Sequence, residues 1–119
     1  MLVLPQRVRA GEPMVITLRV RNPGDHAIDV YMRGRSPTFD VIISREDGAT
    51  VWRRLHNEII PAIALVRTLA PAEQLELSAE WDGRDSSGEQ VVAGNYSARA
   101  HLLVEGPPLE TPPISFALL

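Results

Sequence analysis

The sequence contains no cysteine and no lysine. Without cysteine there is no disulfide framework, no thiol nucleophile and no thiolate metal site, so the fold must stand on packing alone. Without lysine, Schiff-base and lysine general-base chemistry are excluded; all twelve basic residues are arginine. Aromatic residues are scarce, with two each of Trp, Tyr and Phe among 119 residues. No apolar run approaches the roughly 20 residues that a membrane-spanning helix needs. Helical periodicity is missing as well, since no long stretch repeats apolar residues at three- and four-residue spacing. The net charge of −3 is the opposite of the basic excess expected of a nucleic-acid binder, so neither nucleic acid nor membrane is an expected partner. The opening Met1-Leu2-Val3-Leu4-Pro5 is too short for a secretory signal. This start predicts a cytoplasmic protein, with a domain cut from a larger exported chain as the alternative. The length suits a single domain over residues 1–119 with one core.

What the chain does have is alternation. Met14, Ile16, Leu18 and Val20 alternate with Val15, Thr17, Arg19 and Arg21, the period of two that marks a half-buried strand. Ile28, Val30 and Met32 alternate in the same way, and a break is expected at Gly34-Arg35-Ser36-Pro37. Phe39 to Ile43 reads as a strand, Glu46-Asp47-Gly48 as a tight hairpin turn, and Val51-Trp52-Arg53 as its partner. Leu75, Leu77, Ala79 and Trp81 alternate with Glu76, Ser78 and Glu80. Tyr96, Ala98, Ala100, Leu102 and Val104 form another inward row, ended by Gly106-Pro107-Pro108, and Ile114 to Leu118 makes a last short strand. The ten prolines fall at segment ends, as edge-protected β structure requires. The class is therefore all-β, an immunoglobulin-like antiparallel β-sandwich of about seven to eight strands. Nine arginines and seven acids precede residue 61, and three and eight follow, leaving the halves near +2 and −5. In such a sandwich Arg19 and Arg21 are expected to face Glu76 and Glu80 across neighbouring strands.

Trp81 to Tyr96 joins two of these strands through three glycines, three acids and two serines, which is turn chemistry. Asp82, Asp85 and Glu89 are carboxylates at the short spacing a hard cation favours, but they miss the EF-hand pattern and read as turn caps. His26, His56 and His101 are too far apart for a zinc motif. Ser86 and Ser87 lack a nucleophile context. No catalytic, metal or cofactor residues are expected, and the protein is not expected to be an enzyme. Trp81 shares the parity of Leu77 and belongs in the core; Val51 competes with Trp52 for the inward position.

The least regular part runs from Leu55 to Leu69 and reads as a long, partly ordered connection, interrupted by Pro61. Leu55, Ile59, Ile60, Pro61 and Ile63 must either cover an open end of the core or be offered to a partner. A proline-stiffened segment of this kind suits binding, because pre-organisation lowers its entropy cost.

The pattern resembles the intracellular proteinase inhibitor (BsuPI) family of immunoglobulin-like domains over residues 10 to 104. The resemblance rests on Ile16-Thr17-Leu18-Arg19-Val20-Arg21-Asn22, Phe39-Asp40-Val41, Val51-Trp52-Arg53 and Leu69-Ala70-Pro71-Ala72-Glu73. Trp81-Asp82 leading to Gly88, Val91, Gly94 and Tyr96 completes it, and this last motif is also similar to the immunoglobulin-like domain of the flagellar hook-capping protein. Two positions depart from the family: Ala72 stands where it has Gly in Pro-Gly-Glu, and Ile59-Ile60-Pro61 where it has a phenylalanine. The resemblance implies a non-catalytic inhibitor that contacts a protease, such as a subtilisin-like one, through a loop. The alternative is a structural module that joins copies of itself or a larger assembly through an edge strand or the apolar loop.

Overall fold

The computed structural model describes residues 1–119 except 10, 35–37, 57, 62 and 106–108. Of the break expected at Gly34-Arg35-Ser36-Pro37, Gly34 directly follows a strand end at Arg33, while residues 35–37 and the break expected at Gly106-Pro107-Pro108 lie outside the described residues. No helix occurs among the described residues, and none there is long and apolar enough to cross a membrane. The strands are β1 (Leu2–Val3), β2 (Arg7–Val8), β3 (Met14–Arg21), β4 (Ile28–Arg33), β5 (Phe39–Arg45), β6 (Thr50–Arg53), β7 (Ala64–Leu69), β8 (Gln74–Trp81), β9 (Gly94–Leu102), β10 (Leu109–Glu110) and β11 (Ile114–Leu118). Eight have four or more residues, and all of these but β7 fall on segments read as strands from the sequence.

One sheet is ordered β1-β3-β8, a second β2-β11-β9-β5-β6 with β10 also on β9, and β4 and β7 form a third of two strands. The N-terminal segment changes sheets: β1 runs antiparallel to β3, and β2 runs parallel to β11. Met14, Ile16, Leu18 and Trp81 from the first sheet meet Phe39, Val41, Ile43, Tyr96, Ala98, Ala100, Leu102 and Phe116 from the second in one core. This is an immunoglobulin-like sandwich. Trp81, only 1% exposed, belongs to this core. Its ring centroid is 6.4 Å from Trp52, 6.2 Å from Tyr96 and 5.8 Å from Phe116. The indole Nε1 donates to the Arg84 carbonyl at 2.8 Å, so burying it leaves no polar group unpaired. The Tyr96 hydroxyl donates to the Val92 carbonyl four residues upstream, the tyrosine corner typical of these sandwiches.

β3 and β8 pair over their whole lengths, with Arg19 opposite Glu76 and the Arg19 Nε 3.0 Å from the carboxylate. The second expected pair does not form, since Arg21 faces Gln74 and Glu80 faces Val15. The register that aligns one pair offsets the other, because Arg19 and Arg21 are two residues apart and Glu76 and Glu80 four.

The segment Leu55 to Leu69 is more regular than its sequence suggests. Residues 64–69 form β7, paired with β4 in a two-stranded sheet. Arg67 has the parity of the inward-leaning Leu65 and Leu69 and breaks the alternation. Its guanidinium reaches the Glu73 carboxylate at 3.5 Å. Between these hairpins, Asn22 is fully buried. Its side-chain amide donates to the carbonyls of His26, Leu69 and Ala70, and its oxygen accepts from the Gly24 amide. One side chain thus ties the β3–β4 turn to the β7–β8 turn.

That second turn carries a local cost. Ala72 has φ of 64°, the left-handed region in which Cβ crowds the following carbonyl by about 1–2 kcal/mol. This explains physically why a glycine belongs between Pro71 and Glu73. Replacing Ala72 with Gly is expected to raise stability by about 1 kcal/mol, the relief of strain exceeding the added freedom of the unfolded chain. Urea denaturation checks it, and an unchanged or lower midpoint would remove the strain argument.

Candidate functional site

The turn between Trp81 and Tyr96 uses its two aspartates for itself. The Asp82 carboxylate accepts from the Arg84 amide at 3.1 Å. Asp85 accepts from the Ser87 amide, the Ser87 hydroxyl and the Glu89 amide. The Ser87 hydroxyl, followed by the Glu89 amide, holds the exposed Asp85 carboxyl below its ordinary value, because both bonds favour the charged form. Gly83 and Gly88 supply the positive φ of 80° and 91° that the turn needs. Among the described residues no three His, Asp or Glu side chains converge to hold a metal ion. His26 and His56 lie exposed on separate loops, and His101 is half-buried on β9.

The apolar residues after Trp52 come together differently. β6 carries Val51 inward, buried, with Trp52 half-buried beside Trp81. The chain then leaves the sheet in a turn closed by the His56 amide on the Arg53 carbonyl and the Glu58 amide on the Leu55 carbonyl. Its departure point is fixed by Asp40. The Asp40 side chain is 2% exposed on β5, and its Oδ2 receives the Arg53 guanidinium, with Nε at 2.8 Å. Its Oδ1 accepts from the Leu55 amide at 3.1 Å. Arg54 adds a second tie: its Nη1 donates to the Phe39 carbonyl at 2.8 Å, and its guanidinium lies 4.2 Å from the Phe39 ring centroid, a cation–π arrangement. At the far end, the Gly34 amide donates to the Ile63 carbonyl at 2.9 Å.

Between these anchors the five sequence-predicted residues divide. Leu55 and Ile60 are half-buried, and Pro61 is exposed. Ile63 is 48% exposed and Ile59 92%. Ile60, Pro61 and Ile63 line one wall of a groove of about 490 Å³, with Ala64, Leu103, Arg33 and Glu105 completing it. The loop therefore both covers and presents: Leu55 and Ile60 lean on the domain, while Ile59 stands in solvent. Exposing an isoleucine this fully forgoes the roughly 1.5–3 kcal/mol that burying it would supply.

Sequence reasoning picked out the apolar members but missed Asp40, Arg53 and Arg54, which hold them. A signal was present: Asp40 interrupts the run Phe39-Asp40-Val41-Ile42-Ile43, all of it buried, and a carboxylate there demands a partner.

The family described as intracellular proteinase inhibitor (BsuPI) matches residues 3–106. No curated protein matches the sequence. Among solved structures, the chain is similar to the alkylpurine DNA glycosylase AlkC of Pseudomonas fluorescens, bound to DNA containing an abasic site analog. The identity is 16% and the TM-score 0.52, over 99% of this chain and 29% of the glycosylase. It is also similar to a CARDB domain from Pyrococcus furiosus in complex with di-metal ions, at 15% identity and a TM-score of 0.50, over 99% of this chain and 84% of that one. A β-glucosidase from Listeria innocua in complex with glucose gives 12% identity and a TM-score of 0.51, over 99% and 16%. The chain thus spans less than a third of the glycosylase and less than a fifth of the glucosidase. What these proteins share with it is the fold alone.

Proposed function

The chain belongs to the intracellular proteinase inhibitor (BsuPI) family, and from that premise we propose that it is a non-catalytic, cytoplasmic inhibitor that contacts a subtilisin-like protease through the loop Leu55, Ile59, Ile60, Pro61 and Ile63. The observation that carries this reading is Ile59, 92% exposed on a loop tied at Leu55 and Ile63. A protease cleft takes an extended segment with an apolar side chain. A segment already held in place loses less entropy on binding than a free one.

The test separates presentation from core cover. Ile59→Ser is expected to leave the denaturation midpoint nearly unchanged and to weaken inhibition of a subtilisin-like protease about 10- to 30-fold, the loss of about 1.4–2 kcal/mol of buried apolar contact. Ile60→Ser, at a half-buried position, is expected to lower stability by about 1 kcal/mol. Full inhibition by Ile59→Ser would sink the loop reading.

A module that joins copies of itself is the second reading. It is supported by the two-stranded sheet, where Tyr31 and Val66 are cross-strand partners, exposed at 47% and 51%. Light scattering after size exclusion separates the two: an inhibitor elutes at its monomer mass of 13.1 kDa, a self-assembling module above it.

A further inference from the structure

β8 is the open edge of the three-stranded sheet, since β3 is its sole neighbour in the order β1-β3-β8. Eight consecutive residues, Gln74–Trp81, pair with β3 without a bulge. Among the described residues, no backbone group of β8 makes a hydrogen bond outside that ladder. A strand paired on one side directs about half of its N–H and C=O groups outward, where they can template another strand. The sequence QLELSAEW contains neither the proline nor the lysine by which such edges are usually blunted.

The side chains show the same vacancy. On β3, Ile16 and Leu18 are buried, but their cross-strand partners Ala79 and Leu77 are only half-buried, as is Leu75. The core is sealed at β3 and partly open along β8. A further strand would cover Leu75, Leu77 and Ala79 by placing apolar residues at every second position. Its intervening residues would lie beside Gln74, Glu76, Ser78 and Glu80 on the outer face. Arg19 already engages Glu76 at 3.0 Å; Glu80 faces Val15 and has no ion-pair partner among the described residues.

These glutamates disfavour a second copy of the chain. Across a two-fold axis through Ser78, Glu76 would face the copy's Glu80 directly; through Leu77 the two would be diagonal neighbours. Like charges so placed destabilise a strand pair. We propose that the β8 edge binds an extended segment of another protein in which apolar and basic residues alternate, added as a further strand of the sheet. Backbone bonds would supply affinity and the alternate side chains specificity. This surface is separate from the loop after Trp52 and does not depend on protease inhibition.

The test uses the whole isotope-labelled protein and two blocked peptides of about eight residues, one alternating valine with arginine and the other valine with glutamate. On addition of the arginine peptide, amide shifts and slowed hydrogen exchange are expected in Gln74–Trp81, and the glutamate peptide should bind about three- to tenfold more weakly. Glu80→Arg, at an exposed position, is expected to keep the fold by circular dichroism and to reduce or reverse that preference. Ile59→Ser should leave peptide binding unchanged. Shifts that miss β8, equal binding of both peptides, or no binding would each overturn the proposal. So would β8 shifts that follow protein concentration without peptide, which would make a second copy the occupant.

Discussion

Trp81→Ala is expected to cost about 3–5 kcal/mol, the range for removing a fully buried aromatic side chain, and so to consume much of the stability of a domain this size. Three terms add. The indole is 1% exposed, so its removal leaves a cavity between the sheets. Its contacts with Trp52, Tyr96 and Phe116, at centroid distances of 5.8–6.4 Å, are lost together. The Arg84 carbonyl also loses its donor, which loosens the turn that follows. Trp81→Phe keeps a ring and removes the Nε1 bond, and should cost much less. Chemical denaturation with fluorescence and circular dichroism checks both. A loss below about 1 kcal/mol for the alanine variant would show that the core is not organised on this residue.

Arg53→Ala should be the next most damaging change. It leaves the Asp40 carboxylate buried at 2% exposure without its cation, a defect worth about 3–5 kcal/mol when the remaining charge is fully enclosed. Arg53 itself is half exposed, so solvent can reach one side of the pair, and about 3 kcal/mol is expected. Asp40→Asn in the same background removes the stranded charge and keeps the side-chain volume. The double variant should therefore recover part of the loss, the non-additivity that marks a directly coupled pair. Additive losses would show that the two side chains act independently. Because Asp40 also accepts the Leu55 amide, the single variant should release the start of the loop. Faster amide exchange at Leu55 would report that separately from global stability.

Much of the fold was legible in the residues. Met14 to Arg21 and Gln74 to Trp81 alternate so cleanly that their strands and their inward and outward faces follow from parity, but the register that sets Arg19 opposite Glu76 and leaves Arg21 and Glu80 unpaired with each other does not. The turn after Trp81 was legible as well, because Asp, Ser and Gly at short spacing bond to their own backbone. β7 was not, because Arg67 occupies an inward position, and what keeps Ala64–Leu69 extended is a partner strand far away in sequence. The loop after Trp52 stood out as apolar, but Asp40, Arg53 and Arg54 were not recognised as its supports. Their bonds link β5 to the end of β6, a relation of register rather than of composition.

The division follows from the range of the forces. Alternation, turn chemistry, the missing cysteines and lysines, and the family match all arise from neighbours along the chain. They determined an all-β immunoglobulin-like sandwich with Trp81 in its core. Pattern also says that an isoleucine or a leucine has an apolar face to hide, but not whether the folded chain has anything left to hide it with. Tertiary structure decided that Ile60 is partly covered and Ile59 is not, and that Leu18 is sealed while Leu77 on the open edge is half bare. Burial is a property of the assembled surface: it depends on which elements end up beside one another and where they stop.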